Sequence, residues 1–291
     1  MEKKFFVFRH SDKPDEKNPE SQTHPGLSEK GVEKAKEQKA REIKEIVENA
    51  PDRALIYIGG ATELARTKST AIASGEGLKA LYENDESVLV LTKEEILSQA
   101  GKTGSISSAI KKIIEIIESD ENKNKKIVVN FPLFVKELSF DRRWDAKKDN
   151  FEYYDYLDKK YGNNEEGAFE EWSRTKGENI EGSEGPNPET VAEEYLFGLD
   201  RIHEFVKKYF PERPVVIGAV SHRWDLDAAI LKLIKGEVTP ERFREISNEK
   251  LTDTAEGAVI TISGDQMKIA WRGKEFSVDI KEGESDEKTD K

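Results

Sequence analysis

The 291-residue chain contains no cysteine. Disulfides, thiolate metal centres and cysteine nucleophiles are therefore excluded. No apolar run is long enough to cross a bilayer. The opening Met1-Glu2-Lys3-Lys4-Phe5 carries too short an apolar segment for a secretory signal, so a cytoplasmic protein with no membrane partner is expected. A basic surface is missing as well, with 59 acidic residues against 47 basic ones and a formal net charge of −12. A nucleic-acid partner needs that surface and is not expected; a small anion needs only a few local arginines. There is no P-loop, and Gly59-Gly60 lacks the spacing of a dinucleotide fingerprint. The four histidines include no closely spaced pair, and Asp12, Asp15 and Glu16 form at most a charged loop. Neither a metal nor another cofactor is expected.

What is present is an alternation of apolar runs and helical patterns. Strands are expected at 4–8, 54–58, 88–91, 127–129 and 215–220, with later ones near 257–263, 267–272 and 275–280. Between them lie amphipathic helices. One runs from its cap Ser28 to about Glu48, with Val32, Ala35, Ile43, Ile46 and Val47 inward. Another starts at Ser107, with Ile110, Ile113, Ile114 and Ile117 on one stripe. Asn187-Pro188 opens a third in the favoured cap-then-proline order, and 225–234 forms a fourth. Gly59-Gly60-Ala61-Thr62 reads as the turn into a helix that carries Arg66. Such alternation predicts an α/β fold, a three-layer α/β/α arrangement with a mostly parallel central sheet and helices on both faces. Residues 141–186 differ: dense in charge, they hold Trp144, Tyr153, Tyr154, Tyr156, Phe169 and Trp172. They read as a largely helical, cap-like insertion. With no repeat and no linker, 1–281 forms one domain, and the acidic stretch 282–291 is expected to be disordered.

Two of the four histidines end apolar strands. His10 follows Phe5-Phe6-Val7-Phe8-Arg9, and His222 follows Val215 to Ser221. Open α/β sheets place their chemistry at the carboxyl edge of the strands. There a neutral imidazole can attack phosphorus with one nitrogen while a hydrogen bond fixes the other. Arg66, in the first turns of a helix behind a glycine-rich turn, offers a planar cation where helix N–H groups already favour phosphate. His24, in Thr23-His24-Pro25-Gly26, is a loop residue within possible reach of a substrate. His203 sits inside an amphipathic helix beside Ile202 and reads as structural.

Taken together these residues resemble the histidine phosphatase superfamily, the phosphoglycerate-mutase-like group. The likeness rests on Phe8-Arg9-His10-Ser11, Leu27-Ser28-Glu29-Lys30-Gly31, Leu64-Ala65-Arg66-Thr67-Lys68-Ser69-Thr70-Ala71 and Val220-Ser221-His222. They occur in the family's order over roughly 4 to 272. Ser11 stands where the family has glycine, and Gly59-Gly60 where a serine pair is more common. The resemblance implies that His10 is the nucleophile, with Arg9, Arg66 and His222 completing a phosphate pocket; Ser11 and His24 are further candidates for contact with the substrate. It also implies a carboxylate as general acid. Glu137, after Val129-Asn130-Phe131-Pro132, is the first candidate, and Glu94, Glu95 and Asp12 remain open. The implied activity is hydrolysis of a small phosphomonoester through a phosphohistidine. A phosphomutase or a non-catalytic phospholigand binder would use the same pocket.

Overall fold

The computed structural model describes residues 2–99, 106–138, 150–178 and 182–280. Trp144 and the acidic stretch 282–291 lie outside the described residues. The strands β1 (Lys3–Arg9), β2 (Leu55–Ala61), β3 (Val88–Leu91), β4 (Lys126–Phe134), β5 (Val215–Ser221), β6 (Gly257–Ser263), β7 (Gln266–Trp271) and β8 (Lys274–Asp279) form one sheet. Its order is β3-β4-β2-β5-β1-β6-β7-β8. Pairings from β3 to β1 are parallel, and those from β1 through β8 are antiparallel.

Strand alternation explains the layers, since successive side chains point to opposite faces. Phe5, Val7, Leu55, Tyr57, Ile127, Val129, Val215 and Ile217 belong to one core. Phe6, Phe8, Ile56, Ile58, Val128, Val216 and Val220 belong to the other. The second core is closed by α2 (Ala40–Glu48) and α3 (Ala65–Leu81), through Ile43, Val47, Ala71 and Leu78. The first is closed by α5 (Ile106–Ile117), α8 (Pro188–Tyr209) and α9 (Arg223–Lys235). Along α8 the expected inward residues Val191, Tyr195, Leu199, Ile202 and Val206 are all buried.

Several details depart from expectation. The long first helix is α1 (Glu29–Lys34), a π-helical segment at Ala35–Lys39, then α2; Ser28 caps α1 by accepting from the Gly31 N–H. Gly59 and Gly60 are not a turn. They extend β2, with a register shift between Ile58 and Gly60, and a side chain on Gly60 would meet Ala219 Cβ at 2.7 Å. Glycine is thus required by the closeness of β5, not by chain reversal. Helices α4 (Lys93–Gln99) and α10 (Pro240–Ser247) are additional; Thr239 caps α10 ahead of its proline.

The insertion forms α6 (Asn150–Tyr161) and α7 (Glu165–Thr175). Tyr153, Phe169 and Trp172 are buried in the first core. Trp172 stacks on Trp224 of α9 at 5.5 Å, so α7 is fixed to the helix that follows β5. No helix among the described residues is long and apolar enough to cross a membrane.

Candidate functional site

Parallel pairing of β1 with β5 sets Arg9 opposite Ser221, and the His10 N–H donates to the Ser221 carbonyl at 3.0 Å. Neighbouring strands lie about 4.8 Å apart. The next residue on each strand is a histidine, so the two rings meet: their centroids are 5.3 Å apart and their planes 62°. Both are buried.

Hydrogen bonding fixes which nitrogen does what. His10 Nδ1 lies 2.7 Å from the Ser11 carbonyl oxygen. A carbonyl only accepts, so Nδ1 carries the hydrogen and Nε2 keeps its lone pair. Burial, and then the Arg66 charge, push the His10 pKa down to about 3, which keeps the ring neutral. His222 Nδ1 lies 3.4 Å from Arg66 Nη2, and Nε2 lies 3.0 Å from Thr62 Oγ1. A guanidinium only donates, so Nδ1 accepts and Nε2–H donates to the threonine. Thr62 follows β2 directly and is fully buried, 3.0 Å from Thr67 Oγ1.

Arg66 is held by the first turn of α3. The Thr70 hydroxyl donates to the Arg66 carbonyl at 2.7 Å and accepts from the Ser11 N–H at 3.0 Å. One threonine therefore ties the arginine's helix to the loop that carries His10. Arg9 Nη1 donates to the Thr252 carbonyl at 3.0 Å, and Arg223 Nε donates to the same oxygen at 3.0 Å. Thr252 is anchored from behind by Asp227, which accepts from its N–H at 3.1 Å and its hydroxyl at 2.9 Å. Burial and then the neighbouring Arg223 hold Arg9 down to about 10.

These groups surround a cavity of about 100 Å³. Arg9, His10, Arg66 and His222 line it together with Lys13, Arg223, Trp224, Tyr154 of α6 and Glu165 of α7. That space suits a phosphoryl group better than a whole organic ligand, for which pockets run to about 300 Å³ or more. A larger cleft of about 690 Å³ between α3 and β3 holds neither histidine nor arginine and is bordered by Glu76, Glu83, Glu86, Glu95 and Glu121. Among the described residues no group of three His, Asp or Glu is arranged to hold a metal ion.

The structure thus brings together Arg9, His10, Arg66 and His222 from three adjacent strand ends. It does not bring the other expected residues to the cavity lining. The Ser11 hydroxyl is fully buried and donates to the Gly31 carbonyl at 2.8 Å, so it pins the loop to α1. His24 is buried elsewhere, with Nδ1 2.8 Å from Thr23 Oγ1 and Nε2 3.3 Å from Glu76. Glu137 sits in a 3-10 turn behind β4 and pairs with Arg201 of α8. Glu95 caps α4 through Thr92 and pairs with Lys79; it and Glu94 follow the edge strand β3, beyond β4. Asp12 accepts from the Thr254 hydroxyl, with Lys34 at 3.8 Å. His203 is buried on α8, 3.3 Å from Glu204.

Four lining residues escape sequence reasoning: Lys13, Glu165, Arg223 and Trp224. Arg223 had a legible signal, since it directly follows His222. Glu165 had none, because its position depends on how the insertion folds back over α9; there it pairs with Arg223 at 2.6 Å.

No family model matches the chain, and no curated protein matches it. Among solved structures it is similar to a mycobacterial glucosyl-3-phosphoglycerate phosphatase, at 14% identity over 90% of this chain and 91% of the other, with a TM-score of 0.41. It is similar to a phosphoglycerate mutase from Bacillus anthracis at 11% identity, 94% and 93% coverage, and a TM-score of 0.38. An alpha-ribazole phosphatase from Shigella flexneri matches at 12% identity, 90% and 91% coverage, and a TM-score of 0.34. At such identities and scores, the case for an activity in this chain rests on its own site.

Proposed function

We propose that this chain is a cytoplasmic phosphomonoester hydrolase of the histidine phosphatase type. One observation carries the reading: a buried, neutral imidazole with its Nε2 lone pair available stands beside a second histidine and two arginines around a space of phosphoryl size. His10 Nε2 attacks phosphorus, and the bond from phosphorus to the ester oxygen breaks. The leaving oxygen takes a proton from a carboxylic acid, and its alcohol departs. Water then attacks phosphorus, the phosphorus–nitrogen bond breaks, and the carboxylate takes the water's proton. Arg9 and Arg66 face the charge on the equatorial oxygens throughout, and His222 orients Arg66 by accepting from it at Nδ1; such preset electrostatics is what phosphoryl transfer chiefly requires.

Two carboxylates compete for the proton. Glu137 follows β4 at the same sheet edge, and Glu165 lines the cavity from the cap. A leaving-group series decides between them. The true donor, changed to glutamine, slows alkyl phosphates far more than p-nitrophenyl phosphate, whose leaving group needs little protonation.

The direct test is release of phosphate from p-nitrophenyl phosphate, with trapping of a phosphoenzyme. His10→Ala is expected to abolish both while leaving the unfolding midpoint nearly unchanged. Turnover of that variant at the native rate overturns the nucleophile. With a phosphorylated polyol in place of p-nitrophenyl phosphate, isomerised substrate instead of free phosphate would mark a mutase on the same pocket, and phosphate binding without turnover would mark a binder.

A further inference from the structure

Arg223 and Lys13 exceed what a phosphoryl group on His10 needs. Arg9, Arg66, Arg223 and Lys13 line the cavity against the single carboxylate of Glu165, a formal excess of three positive charges. A phosphomonoester dianion neutralises two of them. Arg9 and Arg223 also donate to one carbonyl oxygen, which sets two guanidinium groups side by side. Like charges so placed repel each other unless an anion lies between or against them. At rest Glu165 partly meets that need, pairing with Arg223 at 2.6 Å. Its side chain is half exposed, at 49%, whereas that of Arg223 is 19% exposed. A surface carboxylate on such a pair is readily exchanged for a better-placed anion. The wall beside it is apolar and rigid: Tyr154 lies 5.9 Å from Trp224, which is stacked on Trp172.

We infer that Arg223, with Lys13, forms a second anion subsite beside the phosphoryl pocket, occupied at rest by Glu165. The substrate is then an organic phosphomonoester whose second acidic group, a carboxylate or another phosphate, lies a few bonds from the first. The inference rests on the phosphoryl-pocket reading above, and its test is chosen to stand apart from turnover. Binding of 2-carboxyethylphosphonate and propylphosphonate is measured by calorimetry; neither can be hydrolysed. The native protein is expected to bind the carboxylated ligand about ten-fold tighter, the scale of one charge-assisted pair. Arg223→Gln is expected to collapse that preference to near unity. Glu165→Gln is expected to tighten the carboxylated ligand at least about three-fold more than it tightens propylphosphonate, because it removes a competitor for Arg223. Equal native affinities, or a preference that survives Arg223→Gln in a folded variant, overturn the subsite and leave the phosphatase reading intact. A clear preference in a protein that hydrolyses no ester upholds the subsite and overturns the phosphatase. Failure of both phosphonates to bind overturns both.

Discussion

Arg213 and Arg9 stand at opposite ends of neighbouring strands, and their surroundings could hardly differ more. Arg213, just before β5, donates from Nη1 to the carbonyls of Arg53 and Lys125 and from Nη2 to those of Ile117, Asn122 and Lys123, at 3.0 to 3.3 Å. It gathers the starts of β2 and β4 and the end of α5 around one buried cation. Arg9, at the end of β1, donates to a single carbonyl, and its buried Nε makes no hydrogen bond. Buried donors are normally satisfied. Where the protein supplies every acceptor, the arginine is scaffold. Arg9 lines the cavity as well, and on the proposed function the acceptor that the scaffold does not supply is a phosphoryl oxygen.

The comparison breaks most sharply under substitution. Arg66→Gln is expected to cut kcat/KM for p-nitrophenyl phosphate by about 10³, the scale of losing one preset donor to transition-state charge. The unfolding midpoint in urea should barely move. Arg213→Met reverses the pattern. Its five carbonyl acceptors lose a buried charged donor, and about 3 kcal/mol of stability is expected to go with it. Activity per folded molecule should stay at the native level, because no part of Arg213 reaches the cavity. If Arg213→Met lowered activity in proportion to Arg66→Gln, scaffold and site would not be separable in this way.

The same contrast explains what was legible in the sequence. Apolar runs located the strands, because burial on both faces forces near-continuous hydrophobicity in a parallel sheet. His10 and His222 were readable as a pair because each lies two residues past such a run. Arg66 was readable from its helix start. The cap was not. Tyr153, Phe169 and Trp172 belong to the main core, yet nothing local in 150–175 shows that α7 packs on α9 and α10, where Arg244 pairs with Glu170. Glu165 reaches Arg223 only through that long-range packing. Ser11, expected from its place beside His10, and His24, expected from its loop, lie outside the cavity lining: the backbone of α1 and the side chains of Thr23 and Glu76 meet their polar atoms. Gly59-Gly60 misled as a turn signal because a close strand approach asks for the same residue.

The smallest effect in the native protein, a net slope near zero, comes from two buried groups at the site end whose pH dependences oppose each other. His10 has its pKa lowered from an ordinary 6.5 to about 3. Between those values the unfolded chain holds a proton on this ring that the native protein does not, so native stability falls as pH falls below 6.5. Asp227, fully buried behind Thr252, has its carboxyl pushed up from 3.8 to about 7, chiefly by burial. Between those values the native protein holds the extra proton, so stability falls as pH rises towards 7. Each slope is about 1.4 kcal/mol per pH unit, and from about pH 4 to 6.5 they cancel. Urea unfolding across that range should therefore show almost no net slope from this pair. His10→Ala removes one arm and leaves stability declining as pH rises. Asp227→Asn removes the other and leaves it declining as pH falls. The double variant should be flat again. Parallel profiles for all four proteins would mean that burial does not hold His10 neutral and Asp227 uncharged at this end of the sheet.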